Sequence, residues 1–181
     1  LGDVAPTLDN TANLAGFFEV MQTLVSDQAV IAYHDRSDGG LFTTLVEMAF
    51  AGNTGLNIDL AGLNGTDLER LFNEELGAVI QVSAEQATDI AKKFEAKGVT
   101  CHLIGGLQAA DKISITDGER VIYSNSRTAL RALWSETTYR MQALRDNPEC
   151  AKEEFELKQI ADAPGLTVKL GFNPSEDVAA P

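Results

Sequence analysis

Apolar residues in much of this chain recur three or four positions apart, which is the spacing of a helix that buries one face. One of these helices also carries a capping-box pattern, because Ser83 is followed three residues later by Gln86. The predicted helices cover residues 14–27, 41–51, 67–71, 83–96 and 126–144.

Short runs with strand character separate the helices. Residues 29–33 are continuously apolar, which favours a strand buried on both faces. The run 99–104 predicts a strand that places His102 in the core, and Asp117-Gly118 between two short runs predicts a hairpin. The predicted strands are 29–33, 56–60, 77–82, 99–104, 112–116 and 120–123.

The order of these elements predicts an α/β (α+β) fold with a mixed β-sheet flanked by helices. The composition changes after residue 146, where an acidic, weakly amphipathic helix to about residue 161 precedes a polar tail. We therefore expect one domain at residues 1–146. Residues 147–181 would form an acidic helix and a linker, or an arm that packs on a neighbour.

Charge and cysteine usage exclude several classes of function. The formal net charge of −13 argues against nucleic acid or an anionic membrane as a partner. Cys101 and Cys150 are far apart and the only histidines are His34 and His102, so no zinc ligand set is present in the sequence. Two lone thiols and the lack of a long apolar run predict a cytoplasmic protein with no membrane contact.

The candidate chemistry lies at residues 34–40, between a predicted strand and a predicted helix. A helix N-terminus favours anions, Gly39 and Gly40 let the backbone approach a ligand, and Ser37 can donate to a phosphate. Asp35 offers a hard oxygen to Mg²⁺, although a single carboxylate is only a contributor to such a site. In the alternative interpretation, Ser37 or Asp38 caps the helix and the glycines only make the turn.

Two other sets of residues have both a functional and a structural interpretation. His34 beside Asp35 suggests acid-base chemistry, but no nucleophile with an oriented base can be assigned to it. Glu74 and Glu75 precede a strand and can either reach a metal or ligand or lie at a solvated helix end, which we favour.

Three segments, at residues 34–41, 71–79 and 133–139, together resemble the phosphoribosylformylglycinamidine synthase family, and the resemblance covers essentially the whole chain. The chain is most similar to the second AIR-synthase-type C-terminal domain of the large, single-chain bacterial enzymes. The resemblance implies a domain of an ATP- and glutamine-dependent ligase of purine biosynthesis, which converts formylglycinamide ribonucleotide to its amidine. A preceding nucleotide-binding domain and a following glutaminase domain of the same longer chain would be its partners.

The resemblance also implies roles for individual residues. Asp35 matches a Mg²⁺ ligand and Ser37 a nucleotide contact, with Gly39 and Gly40 as supporting backbone, so that the turn contributes part of a Mg-ATP or Mg-ADP site. We favour an ancillary, structural nucleotide and expect the isolated chain to be catalytically inert. The alternative is a non-catalytic scaffold that closes an internal pseudo-dimer and docks the glutaminase domain; a free-standing phosphometabolite sensor is a weaker third hypothesis.

Overall fold

The computed structural model describes residues 6–8, 10–165 and 168–173, and its elements follow the predicted order. The helices are α1 (Thr11–Ser26), α2 (Gly40–Gly52), α3 (Asp67–Phe72), α4 (Ala84–Glu95), α5 (Arg127–Arg145) and α6 (Pro148–Leu157). The strands are β1 (Ala32–Asp35), β2 (Gly55–Asp59), β3 (Ala78–Gln81), β4 (Gly105–Gln108), β5 (Ile113–Asp117) and β6 (Arg120–Asn125).

The described strands form two separate sheets. One has four strands in the order β4-β2-β5-β6, with β2 parallel to β5 and the other pairs antiparallel. The other is the antiparallel pair β1-β3. The predicted mixed sheet flanked by helices is therefore confirmed, and the hairpin across Asp117-Gly118 joins β5 to β6 as expected.

Two apolar clusters hold these layers together. The larger one joins α2, α3 and α5 to one face of the four-stranded sheet, with Ile113 and Ile115 completely buried. The smaller one joins α1 and α4 to the two-stranded sheet, around Leu24 and Phe94. The described part of the chain contains no helix that is long and apolar enough to cross a membrane.

The apolar run at residues 29–33 is not a strand buried on both faces. The strand begins at Ala32, and Tyr33 and Ile31 are 46% and 61% exposed. The reason is that β1 has a single neighbour, β3, so it lacks the cover that a central strand of a large sheet receives.

The strand predicted at residues 99–104 is also misplaced, because the strand in this region is β4. Its register depends on Gly105, whose φ is +146° and whose Cα lies so close to Asn57 that a side chain would collide with that residue's carbonyl oxygen. His102 consequently lies outside the sheet and is exposed, rather than in the core.

The capping box predicted at Ser83 is wrong in detail. Ser83 is the N-cap residue of α4, but its hydroxyl donates to Gln86 Oε1 (3.3 Å) and caps no backbone N–H. A complete capping box occurs instead at α3, where Thr66 accepts from the Glu69 N–H and the Glu69 carboxylate accepts from the Thr66 N–H.

The segment after α5 packs on the rest of the chain as far as Ala161, whereas the described residues 168–173 are exposed. The rings of Tyr139 in α5 and Phe155 in α6 stack with centroids 4.5 Å apart. Further along, the Ala161 carbonyl accepts from the buried Arg127 guanidinium (3.2 Å) and from Asn53 Nδ2 (3.5 Å). The domain boundary at residues 146 and 147 stays a prediction, and residues 166–167 and 174–181 of the tail lie outside the described residues.

Candidate functional site: the turn between β1 and α2

The turn predicted from the sequence is present, and it joins the end of β1 to the start of α2. Asp35 is the last residue of β1 and Gly40 is the first of α2. Gly39 is the N-cap residue with a left-handed φ of +81°, and the Gly40 N–H donates to the Ser37 carbonyl (2.9 Å). All four predicted site residues, Asp35, Ser37, Gly39 and Gly40, therefore lie within one tight turn.

The hypothesis that Ser37 or Asp38 caps α2 is wrong. No side chain of the turn caps the helix, and the Gly39 N–H donates instead to Glu74 Oε1 (2.9 Å). Glu74 reaches this position because β3 pairs antiparallel with β1, which brings the loop before β3 beside the turn. A carboxylate at a helix N-terminus is favourable, so Glu74 occupies a place that an anionic ligand would otherwise prefer. Glu74 is exposed just beyond the end of α3, as expected, and its contact with Gly39 is an addition to that expectation.

Gly40 is required by packing of the chain on itself. The residue is buried with φ at +64°, and a Cβ there would lie 2.7 Å from the Phe72 carbonyl carbon and 2.8 Å from the carbonyl oxygens of Leu71 and Asn73. The backbone that approaches Gly40 closely is therefore the end of α3. This contact explains the second glycine of the motif without any ligand.

Arg36 fastens the loop before β3 to the turn. Its Nε donates to the Glu75 carbonyl (2.6 Å), its Nη2 donates to the Leu76 carbonyl (3.1 Å), and its own N–H donates to the Gly77 carbonyl (2.8 Å). Burial lowers the pKa of the Arg36 guanidinium, and the nearby charge of Glu75 opposes that shift. With its donors turned toward these carbonyls, Arg36 supports the turn and is not aimed at a ligand.

Three side chains of the turn are exposed and uncommitted. Asp35, Ser37 and Asp38 all face solvent, and their side chains make no hydrogen bond or ion pair within the described residues. Burial raises the pKa of the Tyr33 hydroxyl, and the negative charge of Asp35 raises it further. The turn thus presents two carboxylates and one hydroxyl on a backbone that its neighbours hold in place.

The donor set of the turn fits a partial magnesium site only. Mg²⁺ takes about six oxygen ligands and commonly one or two from protein carboxylates, which the free Asp35 carboxylate suits. No cluster of three or more His, Cys, Asp or Glu side chains that could hold a metal is found in the described part of the chain. Any metal at this turn would therefore need further ligands from a nucleotide, from water or from another domain.

A groove of about 480 Å³ lies elsewhere, on the open face of the four-stranded sheet. None of its lining residues belongs to the turn. One of them, Asp59, is already committed, because its Oδ1 accepts from the N–H groups of Ala61 (3.0 Å) and Gly118 (2.9 Å). We therefore place the candidate site at the turn and not in this groove.

The fold and the turn define a class of protein. Residues 5–118, more than half of the chain, match the family described as AIR synthase related protein, C-terminal domain, and the chain belongs to that family. The match ends in the turn between β5 and β6, so β6, α5 and α6 all lie beyond it.

The chain is also similar to solved structures of PurL from Thermotoga maritima. Phosphoribosylformylglycinamidine synthase II of that organism superposes with a TM-score of 0.62 at 15% identity, over 68% of this chain and 22% of that one. T. maritima PurL complexed with FGAR gives 0.59 at 16% identity, over 64% and 20%. PurL complexed with ADP gives 0.62 at 15% identity, over 68% and 22%. The chain spans about a fifth of the length of these proteins, and at this identity the likeness establishes the fold.

Sequence reasoning missed a group of residues that surround the turn. Glu47, in the middle of α2, bonds His34 (2.8 Å) and the indole of Trp134 (2.9 Å), and neither contact was expected. Such partners lie 13 and 87 positions from Glu47, so no local spacing could have revealed them. The sequence feature that points to them is that Glu47 is the only charged residue of α2.

Proposed function

We propose that this chain is a domain of an ATP- and glutamine-dependent ligase that converts formylglycinamide ribonucleotide to formylglycinamidine ribonucleotide. Its family membership and its similarity to PurL structures, some of them complexed with FGAR, ATP or ADP, support this proposal. In this proposal the chain supplies part of a Mg-nucleotide site. The remainder would come from a preceding nucleotide-binding domain, and a glutaminase domain would follow in the same longer chain.

The observation that carries the proposal is that Asp35 and Ser37 have exposed, uncommitted side chains on a turn whose backbone is held in place by its neighbours. Glu74, Arg36 and the α3 carbonyls hold the backbone of the turn, whereas these two side chains have no partner within the described residues. A fixed backbone that leaves these side chains free meets the requirement that ligand-binding groups be preorganised.

The proposed roles follow from the charges at the turn. Asp35 would hold Mg²⁺, which supplies the positive charge that lets a phosphate approach an acidic surface. Ser37 would donate its hydroxyl to a phosphate oxygen, and Gly39 and Gly40 shape the backbone that places it. Because Glu74 already accepts from the Gly39 N–H, a nucleotide would approach through the metal and Ser37 more readily than through that N–H.

Binding of Mg-ADP to the longer enzyme that contains this domain tests the site. Asp35→Asn should weaken binding by more than about tenfold, since even residues that only support a metal ligand contribute about that much. Asp38→Asn is the matched control, because it removes a carboxylate of the same exposed turn and should change the affinity little. Equal effects of the two variants would show a general influence of charge and contradict a ligand role for Asp35.

The 181-residue chain alone should behave differently. We expect no detectable calorimetric binding of Mg-ADP and no ligase activity, because one carboxylate and one hydroxyl are too few contacts for a nucleotide. Micromolar binding that both Asp35→Asn and Ser37→Ala abolish would instead show a self-sufficient site, as a free-standing sensor requires.

A scaffold role is the second candidate, and the surface of α5 favours it. Leu133, Met141 and Leu144 lie near one face of that helix and are 66%, 66% and 91% exposed. A following glutaminase domain could dock there. Under this alternative, Leu144→Glu would impair glutamine-dependent activity of the longer enzyme while ammonia-dependent activity and Mg-ADP binding persist.

A further inference from the structure

A chain of hydrogen bonds links the turn to α5 through one carboxylate. Glu47 Oε2 lies 2.8 Å from His34 Nε2, and Glu47 Oε1 accepts from Trp134 Nε1 at 2.9 Å. The other ring nitrogen of His34, Nδ1, lies 2.7 Å from the Asp35 carbonyl oxygen. Three elements, β1, α2 and α5, therefore meet at the side chain of Glu47.

The positions of the hydrogen atoms in this hydrogen-bond network follow from which groups can donate and which can only accept. A carbonyl oxygen can only accept, so Nδ1 of His34 carries a hydrogen and donates it to Asp35. The indole of Trp134 can only donate, so Glu47 Oε1 accepts. Glu47 Oε2 lies beside His34 Nε2, so both oxygens of the Glu47 carboxylate have a partner.

The hydrogen bond from His34 Nδ1 is made to the backbone carbonyl of Asp35, so the Asp35 carboxylate stays free. Thr44 Oγ1 also approaches the Asp35 carbonyl (3.4 Å), while it bonds the Gly40 carbonyl at 3.0 Å. Side chains of α2 thus fix the last peptide of β1, Thr44 directly and Glu47 through His34, at the point where the chain leaves the strand. A site whose backbone is fixed while its ligand atoms remain free is preorganised for binding.

We propose that Glu47 is a positioning residue that, through His34, sets the direction in which the turn leaves β1. Trp134 completes the arrangement, because its indole N–H holds the second carboxylate oxygen and its ring contacts Phe50 with centroids 5.8 Å apart. This inference deepens the proposed function and rests on it only in treating Asp35 and Ser37 as ligand contacts.

The experiment uses Trp134, the only tryptophan of the chain, as an internal probe. In NMR spectra of the 181-residue chain, its indole N–H gives a single resonance that reports the bond to Glu47. Amide exchange of Arg36 and Gly40 reports the turn, because their N–H groups donate to the Gly77 and Ser37 carbonyls. Neither readout requires a bound nucleotide.

Glu47→Leu removes both acceptor oxygens at similar side-chain size. We expect the indole resonance to shift and exchange faster, and the Arg36 and Gly40 amides to exchange about tenfold faster, as the loss of a charge-assisted bond implies. Glu47→Gln should restore most of the protection, because its neutral amide can accept from Trp134 and donate to an unprotonated His34 Nε2. Glu136→Leu on α5 is the control and should change neither readout, since Glu136 pairs with Arg140 outside this network.

Wild-type exchange of Arg36 and Gly40 in Glu47→Leu would overturn the inference, as would a failure of Glu47→Gln to restore protection. If Glu47→Leu does not fold, Trp134→Phe is the deciding variant, because it keeps an aromatic ring beside Phe50 and removes the N–H donor together with part of the indole. It should accelerate exchange at the turn by two- to threefold, roughly, and unchanged rates would again overturn the inference. A wild-type longer enzyme that fails to bind Mg-ADP would contradict the proposed function but not the positioning of the turn.

Discussion

Replacement of Gly40 by alanine separates two explanations of the second motif glycine. If Gly40 only gave a ligand close access to the backbone, Gly40→Ala would lower affinity and destabilise the fold only by the strain of its left-handed φ. The structure instead places the end of α3 where the new methyl group would lie, with backbone atoms at 2.7 and 2.8 Å. We therefore expect the substitution to destabilise the fold itself.

The expected loss of stability in Gly40→Ala has two parts. The left-handed conformation at φ +64° costs a residue with a Cβ about 1–2 kcal/mol. The collision with the chain at Leu71, Phe72 and Asn73 involves backbone atoms, which cannot rotate away as a side chain can, and overpacking of this kind costs about 1–3 kcal/mol. The free energy of unfolding should therefore fall by about 2–5 kcal/mol.

Gly118 supplies a matched control. Its φ of +59° is nearly the same, but nothing lies within 4 Å of a Cβ built there. Gly118→Ala therefore incurs the conformational cost alone, about 1–2 kcal/mol, and the entropy change of the unfolded chain is common to both variants. Urea unfolding, monitored by Trp134 fluorescence, gives the free energy of unfolding of both variants. Equal losses of stability at the two glycines would refute the packing explanation for Gly40.

Three further predictions concern stability. The pKa of Asp67 is lowered from 3.8 to about 2, chiefly by its hydrogen bond to Arg120, so the stability that Asp67 contributes is present above about pH 4 and lost as the pH falls through about 2. In acid unfolding, the free energy of unfolding of Asp67→Asn should therefore depend less steeply on pH than that of the wild type. Identical pH dependences would contradict this prediction. Thr66→Ala should lower the free energy of unfolding by about 1 kcal/mol, because it removes the N-cap of α3. Ser83→Ala should change the free energy of unfolding by less than about 0.5 kcal/mol, because the Ser83 hydroxyl caps no N–H. Urea titrations of the two variants compare these losses. Arg127→Ala should lower the free energy of unfolding by about 3 kcal/mol, because it removes a buried cation that contacts Asp111 and the Ala161 carbonyl. Proteolysis near residue 161 should also become faster. An unchanged free energy of unfolding would contradict the role of this contact.

The elements of the fold were largely predictable because they depend on local patterns. The helical spacing of apolar residues and the Asp117-Gly118 turn correctly indicated the order of helices and strands. Errors arose where partners decide the outcome. The run at residues 29–33 has the composition of a central strand, yet β1 has only one neighbour, and the strand after α4 is placed by the close approach of Gly105 to β2.

The sequence by itself determined that Asp35, Ser37, Gly39 and Gly40 form one strand-to-helix turn, because chain connectivity alone keeps neighbouring residues together. Only the tertiary structure decided what surrounds that turn. Glu74 takes the Gly39 N–H because β1 and β3 pair, and the carboxylate of Glu47 joins His34 to Trp134 because α5 packs on α2. These contacts connect residues 13 to 87 positions apart, and packing of whole elements, not local propensity, brings such residues within hydrogen-bonding distance.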